Sequence, residues 1–196
     1  MIGRPRSIDR ETLLDAAQTV AARDGAGRLT IESVASEAGI SKASVLYDYK
    51  TKQALIKALI ERRIATESDR IGEIEQALGP VPNVAIRARL SSELQGLSDE
   101  DRKVALGLCA VVSQDADLRR PVREMFAQRI AHIMDTSDKP RGPLLAFLAV
   151  EGLKSLEWLG LHEWPSEERK RLISEIRWLV DQEPEERACD TVTDSP

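Results

Sequence analysis

The stretch TIESVASEAGISKASVLYDYKTK, from Thr30 to Lys52, predicts two short helices joined by a tight turn. Thr30 offers a hydroxyl that can cap the first helix, and apolar residues follow it at helical spacing. Gly39 then stands where the end of a helix favours a left-handed residue. Ser41 can cap the second helix, which carries small, polar and basic residues at its start. This arrangement is typical of a helix-turn-helix that enters the DNA major groove.

The segments on either side extend this unit into a larger helical protein. Upstream, residues 13–21 place leucine, alanine and valine on one helical face. Downstream, Thr51 can cap a long helix that runs to about Leu78, where the sequence GPVP ends it. Further helices are predicted over about 83–94, 99–112 and 118–134, and two more begin at about Pro143 and Pro165. The chain is therefore predicted to be all-α.

Composition excludes several classes of protein. The chain has 196 residues, of which 42% are hydrophobic and 31% charged, as is ordinary for a soluble globular protein. It has no apolar run long enough to span a membrane and no hydrophobic signal core at its N-terminus. Its two cysteines, Cys109 and Cys189, give no disulfide framework. We therefore expect a cytoplasmic protein that does not bind membranes.

Enzymatic motifs are missing from the sequence. It contains no nucleophile motif and no glycine-rich phosphate loop, and its two histidines and two cysteines are widely separated. We therefore predict that the protein is not an enzyme and that it holds no metal and no cofactor.

Charge is divided unevenly along the chain. The net charge is −5, which at first sight argues against a DNA-binding protein. Residues 1–63, however, hold 11 lysines and arginines against 8 acidic residues, whereas the remaining chain holds 17 against 25. We expect the N-terminal third to approach phosphate and the acidic remainder to face away from it.

Over roughly residues 9–63, the chain resembles the TetR family of one-component bacterial repressors. The residues that match the family pattern in order and spacing are Ala16, Ala17, Gly25, Thr30, Val34, Ala35, Ala38, Gly39, Ile40, Ser41, Lys42, Tyr47, Tyr49, Lys52, Ala54 and Leu55. The resemblance implies an N-terminal three-helix DNA-binding domain and a C-terminal helical domain that binds an effector and dimerises. We place these domains at residues 1–55 and 56–182, and we interpret residues 183–196 as a disordered tail.

The candidate DNA contacts lie in the arm, at the helix caps and in the second helix of the motif. They are Arg4, Arg6, Thr30, Ser41, Lys42, Ala43, Ser44, Leu46, Tyr47 and Lys52. The resemblance implies that Tyr47 and Lys52 bind phosphate and that Thr30 contacts the DNA backbone besides capping its helix. Lys42 can reach a guanine edge or a phosphate. The basic arm either lies in a minor groove or is only a disordered tail.

Three positions qualify the resemblance. Leu46 replaces a common second tyrosine and either meets a thymine methyl group or turns inward. Asp48 would repel phosphate, so it faces away, pairs with Lys50 or Lys52, or accepts from a cytosine amino group. Tyr49 fills an aromatic position of the family and is expected in the core.

Candidates for an effector pocket come from the middle helices, as the resemblance implies. The apolar ones are Leu106, Leu108, Cys109, Met125, Phe126, Ile130, Met134, Phe147 and Trp158. Each of them is also an ordinary core residue. A buried polar group would be more telling, because it needs a partner, and His132 and Glu151 are two such candidates.

The last two helices are candidates for a dimer interface. The helix that follows Pro143 is apolar over more than one face, which favours packing on its own core and on a partner subunit. The candidate interface residues are Leu145, Leu148, Gly152, Leu156, Ile173, Ile176, Leu179 and Val180. The alternative is two ordinary core helices in a monomer.

These patterns predict a homodimeric, ligand-responsive regulator of transcription, with double-stranded DNA as its partner. The interpretation we favour is a repressor that a small, largely apolar effector releases from a pseudo-palindromic operator. The sequence does not separate repression from activation. The alternative is a helical protein-interaction module that has lost specific DNA binding, which Leu46, Asp48 and the mild basic excess would explain.

Overall fold

The computed structural model describes residues 9–96 and 98–184 of the chain. Within these residues lie nine α-helices, so the all-α prediction is confirmed. They are α1 (Arg10–Asp24), α2 (Ile31–Glu37), α3 (Lys42–Asp48), α4 (Lys52–Leu78), α5 (Val84–Ser92), α6 (Asp99–Gln114), α7 (Ala116–Asp135), α8 (Arg141–Trp158) and α9 (Ser166–Leu179). Short 3-10 turns occupy Ala26–Arg28 and Glu93–Gln95.

Helices α2, α3 and α4 begin at hydroxyl caps, whereas α1 begins at the carboxylate of Asp9. Thr30 Oγ1 accepts from Ser33 N at 3.0 Å, and Ser33 Oγ accepts from Thr30 N at 3.0 Å. These two hydrogen bonds form a capping box. The hydroxyls of Ser41 and Thr51 cap α3 and α4 by accepting from the backbone nitrogens of Ser44 and Ala54. Gly39 adopts a φ of 66° between α2 and α3, a conformation that glycine reaches at low cost. The predicted helix-turn-helix therefore has the expected caps and turn.

The described part of the chain up to residue 63, the head, packs around one apolar core. Its buried side chains come from α1, α2, α3 and the first turns of α4, and include Leu13, Val34, Val45 and Leu59. The same core also takes in residues of α6 and α7, such as Leu108. The predicted boundary at residue 55 falls inside α4, so one continuous helix joins the head to residues 64–184, the body.

The contact between the head and α6 is especially close at Gly107. A Cβ atom at this position would lie 3.0 Å from the backbone nitrogen of Ala26, in the turn that follows α1. Since real Cβ atoms essentially never come nearer than this, the approach depends on the missing side chain. The backbone of α6 thus packs against the turn that leads to Thr30.

A second apolar core lies in the body, between α5, α7, α8 and α9. It contains Ile86, Ile133, Phe147 and Ile173, with Phe126 packed against it. The rings of Phe126 and Phe147 meet edge to face, with centroids 6.3 Å apart. Burial of this apolar surface is what brings the four helices together.

Helix boundaries in the body differ from the predicted ones near prolines and charged residues. Helix α7 begins at Ala116, capped by the Asp115 carboxylate, and continues through Pro121. The predicted break over residues 113–117 is therefore reduced to Asp115 alone. Helix α8 begins two residues before Pro143, which lies inside its first turn.

Among the described residues, no helix is both long enough and apolar enough to cross a membrane. The basic arm with Arg4 and Arg6, and most of the predicted disordered tail, lie outside the described residues.

Candidate nucleic-acid interface

The outer face of α3 is polar and open to solvent. Lys42 and Ala43 are exposed in its first turn, and the Tyr47 side chain one turn later is 79% exposed. Val45, on the opposite face, is fully buried in the core of the head. The helix is therefore anchored by one face and presents the other outward, so that this outer face is free to enter a groove.

The two cap hydroxyls are engaged within the protein. Ser41 Oγ accepts from Ser44 N at 3.1 Å, and the hydroxyls of these two serines lie 2.8 Å apart. Thr30 is held in its capping box by Ser33. Each hydroxyl remains at an exposed residue, so its second lone pair or its proton can meet a further polar group.

The two predicted DNA-binding lysines already have partners. Lys42 Nζ pairs with Glu32 of α2, and this hydrogen bond holds the pKa of the Glu32 carboxyl below its usual range. Lys52 Nζ donates to the carbonyl of Gly27 at 2.6 Å, which ties the start of α4 to the turn after α1. A phosphate would meet each ammonium beside the acceptor that it already has.

Asp48 takes a partner that the sequence pattern did not suggest. Its carboxylate lies 3.7 Å from Arg10 Nε in the first turn of α1. Of the three alternatives left open for Asp48, pairing with Lys50 or Lys52 is not the one observed, since Lys50 donates to the Tyr47 carbonyl at 3.0 Å and Lys52 to Gly27. Residues 10 and 48 are far apart in the sequence, so only the packing of α1 beside α3 brings them together.

The side chains of Leu46 in α3 and of Tyr49 directly after it point toward the protein. Leu46 is half-buried and packs against the core of the head, which favours the inward alternative. Tyr49 is buried in that core, as expected, and burial raises the pKa of its phenol. The polar surface of α3 is thus confined to its N-terminal half and Tyr47.

Comparison with known families identifies the chain. Residues 13–59 match the family described as bacterial regulatory proteins, tetR family, and residues 83–181 match the tetracyclin repressor-like C-terminal domain. The chain belongs to the TetR family. Proteins of this family are DNA-binding regulators of transcription and not enzymes, so both of these predictions are confirmed.

Individual relatives of this TetR-family regulator are distant. The uncharacterized HTH-type transcriptional regulator YerO of Bacillus subtilis (strain 168) is 26% identical over 98 residues, which is 50% of this chain and 34% of YerO. The chain thus matches only about a third of the length of that relative. A transcriptional regulator from Rhodococcus sp. Rha1 has a similar structure, with a TM-score of 0.71 and 21% identity over 88% of this chain and 96% of that one.

A third similar structure is that of the multidrug binding protein EbrR complexed with imidazole. Its TM-score is 0.62, with 19% identity over 90% of this chain and 97% of that one. At this level of identity the likeness shows the fold.

The predicted effector-pocket residues of the regulator are spread over several environments. Phe147 is buried in the body core, while Met125, Phe126 and Trp158 are half-buried. The exposed members of the set are Leu106, Cys109, Ile130 and Met134. Leu108 belongs to the core of the head. The set thus divides between two cores and the surface, and the rings of Phe126 and Phe147 contact each other.

The predicted dimer residues divide into two groups. Leu145, Leu148, Gly152 and Leu156 lie exposed along α8, and Leu148 is 64% exposed. Ile173 and Val180 are buried within the protomer's own core, so their assignment to an interface is wrong. The helical spacing of α9 marked its apolar face, but that face packs against α5 and α8.

Ile176 and Leu179 of α9 are half-buried beside the same core. Trp178, which the sequence analysis did not select, is 64% exposed. An exposed side chain of this size suggests a contact surface, and its exposure follows from the structure and not from the sequence.

The body also contains a cluster of eight charged side chains, which we call the ionic cluster. Its members are Glu67, Arg89, Glu93, Arg129, Glu151, Lys154, Glu157 and Arg169. Four are acidic and four basic, so the cluster is neutral as a whole. Sequence analysis singled out only Glu151, because a carboxylate interrupting an apolar helix needs a partner.

Lys154 and Glu67 are the two centres of the ionic cluster. Lys154 Nζ lies 2.9 Å from Glu93 Oε1, 3.3 Å from Glu67 Oε1 and 3.8 Å from Glu151 Oε1. Its ammonium also lies 4.7 Å from the centroid of the Trp158 ring, within the range of a cation–π contact.

Glu67 in turn faces three cations. Arg129 Nη2 donates to its Oε2 at 2.6 Å, and Arg89 Nη1 donates to its Oε1 at 3.1 Å, beside the Lys154 contact. Burial alone would raise the pKa of Glu67, but the charges of Lys154, Arg89 and Arg129 outweigh it and hold that pKa well below its usual range. Glu67 is therefore a carboxylate at any pH near neutrality.

Two further polar contacts tie α4 to α6 and α7. Arg63 Nη1 donates to Asp101 of α6 at 3.1 Å, and Glu75 accepts from His132 Nε2 at 2.9 Å. His132 is therefore a surface partner of α4 and not the buried anchor that sequence analysis offered as a candidate.

Proposed function

We propose that this regulator is a homodimeric repressor that a small, largely apolar effector releases from a pseudo-palindromic operator. The observation that carries the proposal is the face of α3 described above. That face offers Lys42, Ala43, Ser44 and Tyr47 on the outside of a helix whose inner face is fixed in the core of the head. A helix anchored in this way can enter a DNA groove and contact base edges without refolding.

The proposed contacts divide into base contacts and phosphate contacts. Lys42, Ala43 and Ser44 stand in the first turn of α3, where side chains reach base edges. The Tyr47 hydroxyl and the Lys52 ammonium are proposed to bind phosphate, together with the cap residues Thr30 and Ser41 and the arm residues Arg4 and Arg6. Leu46 is proposed only as a peripheral apolar contact, since it packs against the head.

Lys42 and Lys52 would add a DNA phosphate or base to the internal partners that they already have. Each ammonium is now held by one acceptor, the Glu32 carboxylate or the Gly27 carbonyl. An ammonium has three protons to donate, so a phosphate oxygen can be added without breaking the present contact. The internal contacts then position the lysines and do not oppose binding.

The dimer is proposed to form through α8 and α9. The exposed leucines of α8 and the exposed Trp178 of α9 are large apolar side chains left in solvent on these two helices. A dimer also supplies the two recognition helices that a pseudo-palindrome requires, since one helix-turn-helix alone buries too little DNA for useful specificity. We retain residues 1–55 as the DNA-binding domain and residues 56–182 as the effector and dimerisation domain.

The effector is proposed to bind in the body. The similar structure of the multidrug binding protein EbrR was obtained with imidazole and with malachite green. A pocket near Phe126 and Phe147 would offer apolar contacts next to the ionic cluster. To release DNA, the effector must bind the DNA-incompetent conformation more tightly than the competent one.

The deciding experiment is a footprint of the purified protein on DNA flanking its own coding region, titrated with salt. We expect a protected pseudo-palindrome whose affinity falls steeply with salt, because lysine and arginine contacts release counterions from phosphate. Absence of protection even at low salt would favour the second candidate, a helical interaction module. The ion pair of Asp48 with Arg10 is the observation that keeps that candidate open, because it engages one of the basic side chains of the head.

A further inference from the structure

The Glu67 carboxylate occupies a site made of three cations from three different helices. Arg89 belongs to α5, Arg129 to α7 and Lys154 to α8, and all three lie within 3.3 Å of a Glu67 oxygen. Glu67 itself belongs to α4, the helix that carries the head. A single side chain of the connecting helix α4 therefore fills an anion site that α5, α7 and α8 supply.

Arg89 has further donor capacity at this site. Its side chain is almost completely buried, and its Nε finds no acceptor among the residues that the structure describes. Buried donors without a partner are rare and costly. A second carboxylate oxygen placed differently from those of Glu67 could satisfy it.

We propose that Arg89, Arg129 and Lys154 form a carboxylate-binding site of the body, which Glu67 occupies in the effector-free protein, and that the effector carries a carboxylate which displaces Glu67. The inference rests on the proposed function only for its regulatory consequence. The site itself follows from the contacts and burial of these four residues.

The reverse assignment, in which a cation displaces Lys154, is disfavoured by access. The Lys154 side chain is 2% exposed, whereas that of Glu67 is 24% exposed. Arg129 is likewise partly open to solvent. A ligand arriving from solvent meets Glu67 and Arg129 first, and Glu67 can move outward into water.

Exchange of one carboxylate for another leaves the charge of the ionic cluster unchanged. Losing a buried carboxylate without replacement would leave cations uncompensated, which is strongly unfavourable. A ligand carboxylate avoids that penalty, and a neutral or cationic ligand does not. The charge balance therefore selects for an anion.

The side chains next to the site suit an apolar remainder of the ligand, since Phe126 is half-buried and Phe147 belongs to the body core. Phe126 lies one turn from Arg129 on α7, and Phe147 lies one turn from Glu151 on α8. These rings contact each other beside the body core. The proposed effector is therefore a largely apolar molecule with one carboxylate, which agrees with the apolar effector proposed above and adds its polar group.

Release of Glu67 would free the distal half of α4. Glu67 lies 15 residues after Lys52, or about 22 Å along the helix at 1.5 Å per residue. The start of α4 is fixed in the core of the head. A change in how α5, α7 and α8 hold the far end of α4 therefore changes the position of the head relative to the body.

The test is equilibrium dialysis of the full-length protein with acetate, benzoate and octanoate, without DNA. Octanamide and octylammonium serve as neutral and cationic controls. We expect octanoate to bind at one per protomer and at least tenfold more tightly than either control. Equal binding of octylammonium would overturn the proposal, because the site would then not select an anion.

Two substitutions with opposite expected signs separate this role from a structural one. Glu67→Gln removes the negative charge while keeping the shape of the side chain, so a ligand carboxylate competes only with a neutral amide and its affinity should rise at least tenfold. Arg129→Gln removes a cation, so affinity should fall at least tenfold. Failure of all three carboxylates to bind the Glu67→Gln protein at millimolar concentration would overturn the proposal.

Arg169→Gln is the matched control. Arg169 is 13% exposed and Arg129 is 14% exposed, and both belong to the ionic cluster, but Arg169 contacts Glu93 and Glu157 instead of Glu67. Carboxylate affinity should stay within twofold in this variant. An equal loss in Arg129→Gln and Arg169→Gln would assign the effect to general disruption, and this pair decides the matter if Glu67→Gln does not fold.

The footprint keeps this inference separate from the proposed function. Carboxylate binding with the expected variant pattern, but without any footprint on DNA, would support the site and remove the repressor. A footprint on DNA without any carboxylate binding would support the repressor and overturn the proposed carboxylate site.

Discussion

The head buries leucine, valine and alanine side chains between its helices, whereas the body buries a lysine and an arginine among carboxylates. Apolar burial is non-directional and favours one packed arrangement. Ion pairs depend on direction and can be exchanged for other ion pairs. The interior of the head is thus held by apolar packing, whereas the interior of the body combines an apolar core with buried ion pairs.

The largest effect is expected from breaking the ionic cluster at its most buried cation. Lys154→Ala would leave Glu67, Glu93 and Glu151 without that ammonium, and removing one partner of a buried ion pair costs about 3–5 kcal/mol. Urea unfolding followed by circular dichroism would measure the loss. A cost below about 1 kcal/mol would show that water replaces Lys154 easily, and the contrast with the head would fail.

A core substitution in the head should cost slightly less. Leu13 is fully buried, so Leu13→Ala should lower the free energy of unfolding by about 3 kcal/mol through lost burial and a residual cavity. No charge is involved, so the same loss should be measured at pH 5 and at pH 7. A loss that differs between these pH values would show that the head also depends on titrating groups.

Acidification should distinguish the two regions further. Because the pKa of Glu67 is lowered in the folded protein, its contribution to stability is complete above its unfolded value of about 4.3 and is lost as the pH falls below it. Stability measured by urea unfolding from pH 6 to pH 3 should therefore fall less steeply in Glu67→Gln than in the wild type. Parallel curves would mean that the cations around Glu67 do not hold its charge.

On the outer surface of the head, substitutions should affect DNA binding and not folding. Tyr47→Phe and Lys52→Ala should each weaken binding about tenfold on all operators, because phosphate contacts carry no sequence information. Lys42→Ala should instead change the preference at one base position. Footprints on operator variants would measure this, and identical behaviour of the three proteins would contradict the division between phosphate and base contacts.

The smallest effect is expected at a helix cap. Thr30→Ala removes the acceptor for Ser33 N and should cost about 1 kcal/mol, whereas Thr30→Ser keeps the hydroxyl and should cost much less. Thermal unfolding of the two variants would show the difference. Equal melting temperatures would indicate that the capping box adds little to a head already held by its core.

The sequence predicted the head far better than the body, and the reason is the range of the signals. The caps Thr30, Ser41 and Thr51 and the turn at Gly39 act within a few residues, so their pattern can be read locally. The pair of Asp48 with Arg10 could not be read in this way, because it depends on how α1 packs beside α3.

In the body, the missed features all depend on packing between distant helices. Glu67 and Lys154 are 87 residues apart and meet only because α4 packs near α8. Ile173 follows the same apolar spacing that an interface residue would, and the sequence cannot tell the protomer's own core from a partner. Glu151 was found because a lone carboxylate in an apolar helix is unusual at the level of the sequence itself.

The glycine at position 107 gives the junction between α6 and the head a mechanical character. Since a methyl group at Gly107 would lie 3.0 Å from the Ala26 backbone nitrogen, helix and turn approach each other closely at this point. Tightly packed atoms have low compressibility and transmit strain. A displacement of α6 toward the head must therefore push the turn at Ala26–Arg28, which ends two residues before Thr30. The stiffness of that short link determines how much of a sub-ångström movement in the body arrives at the first helix of the helix-turn-helix.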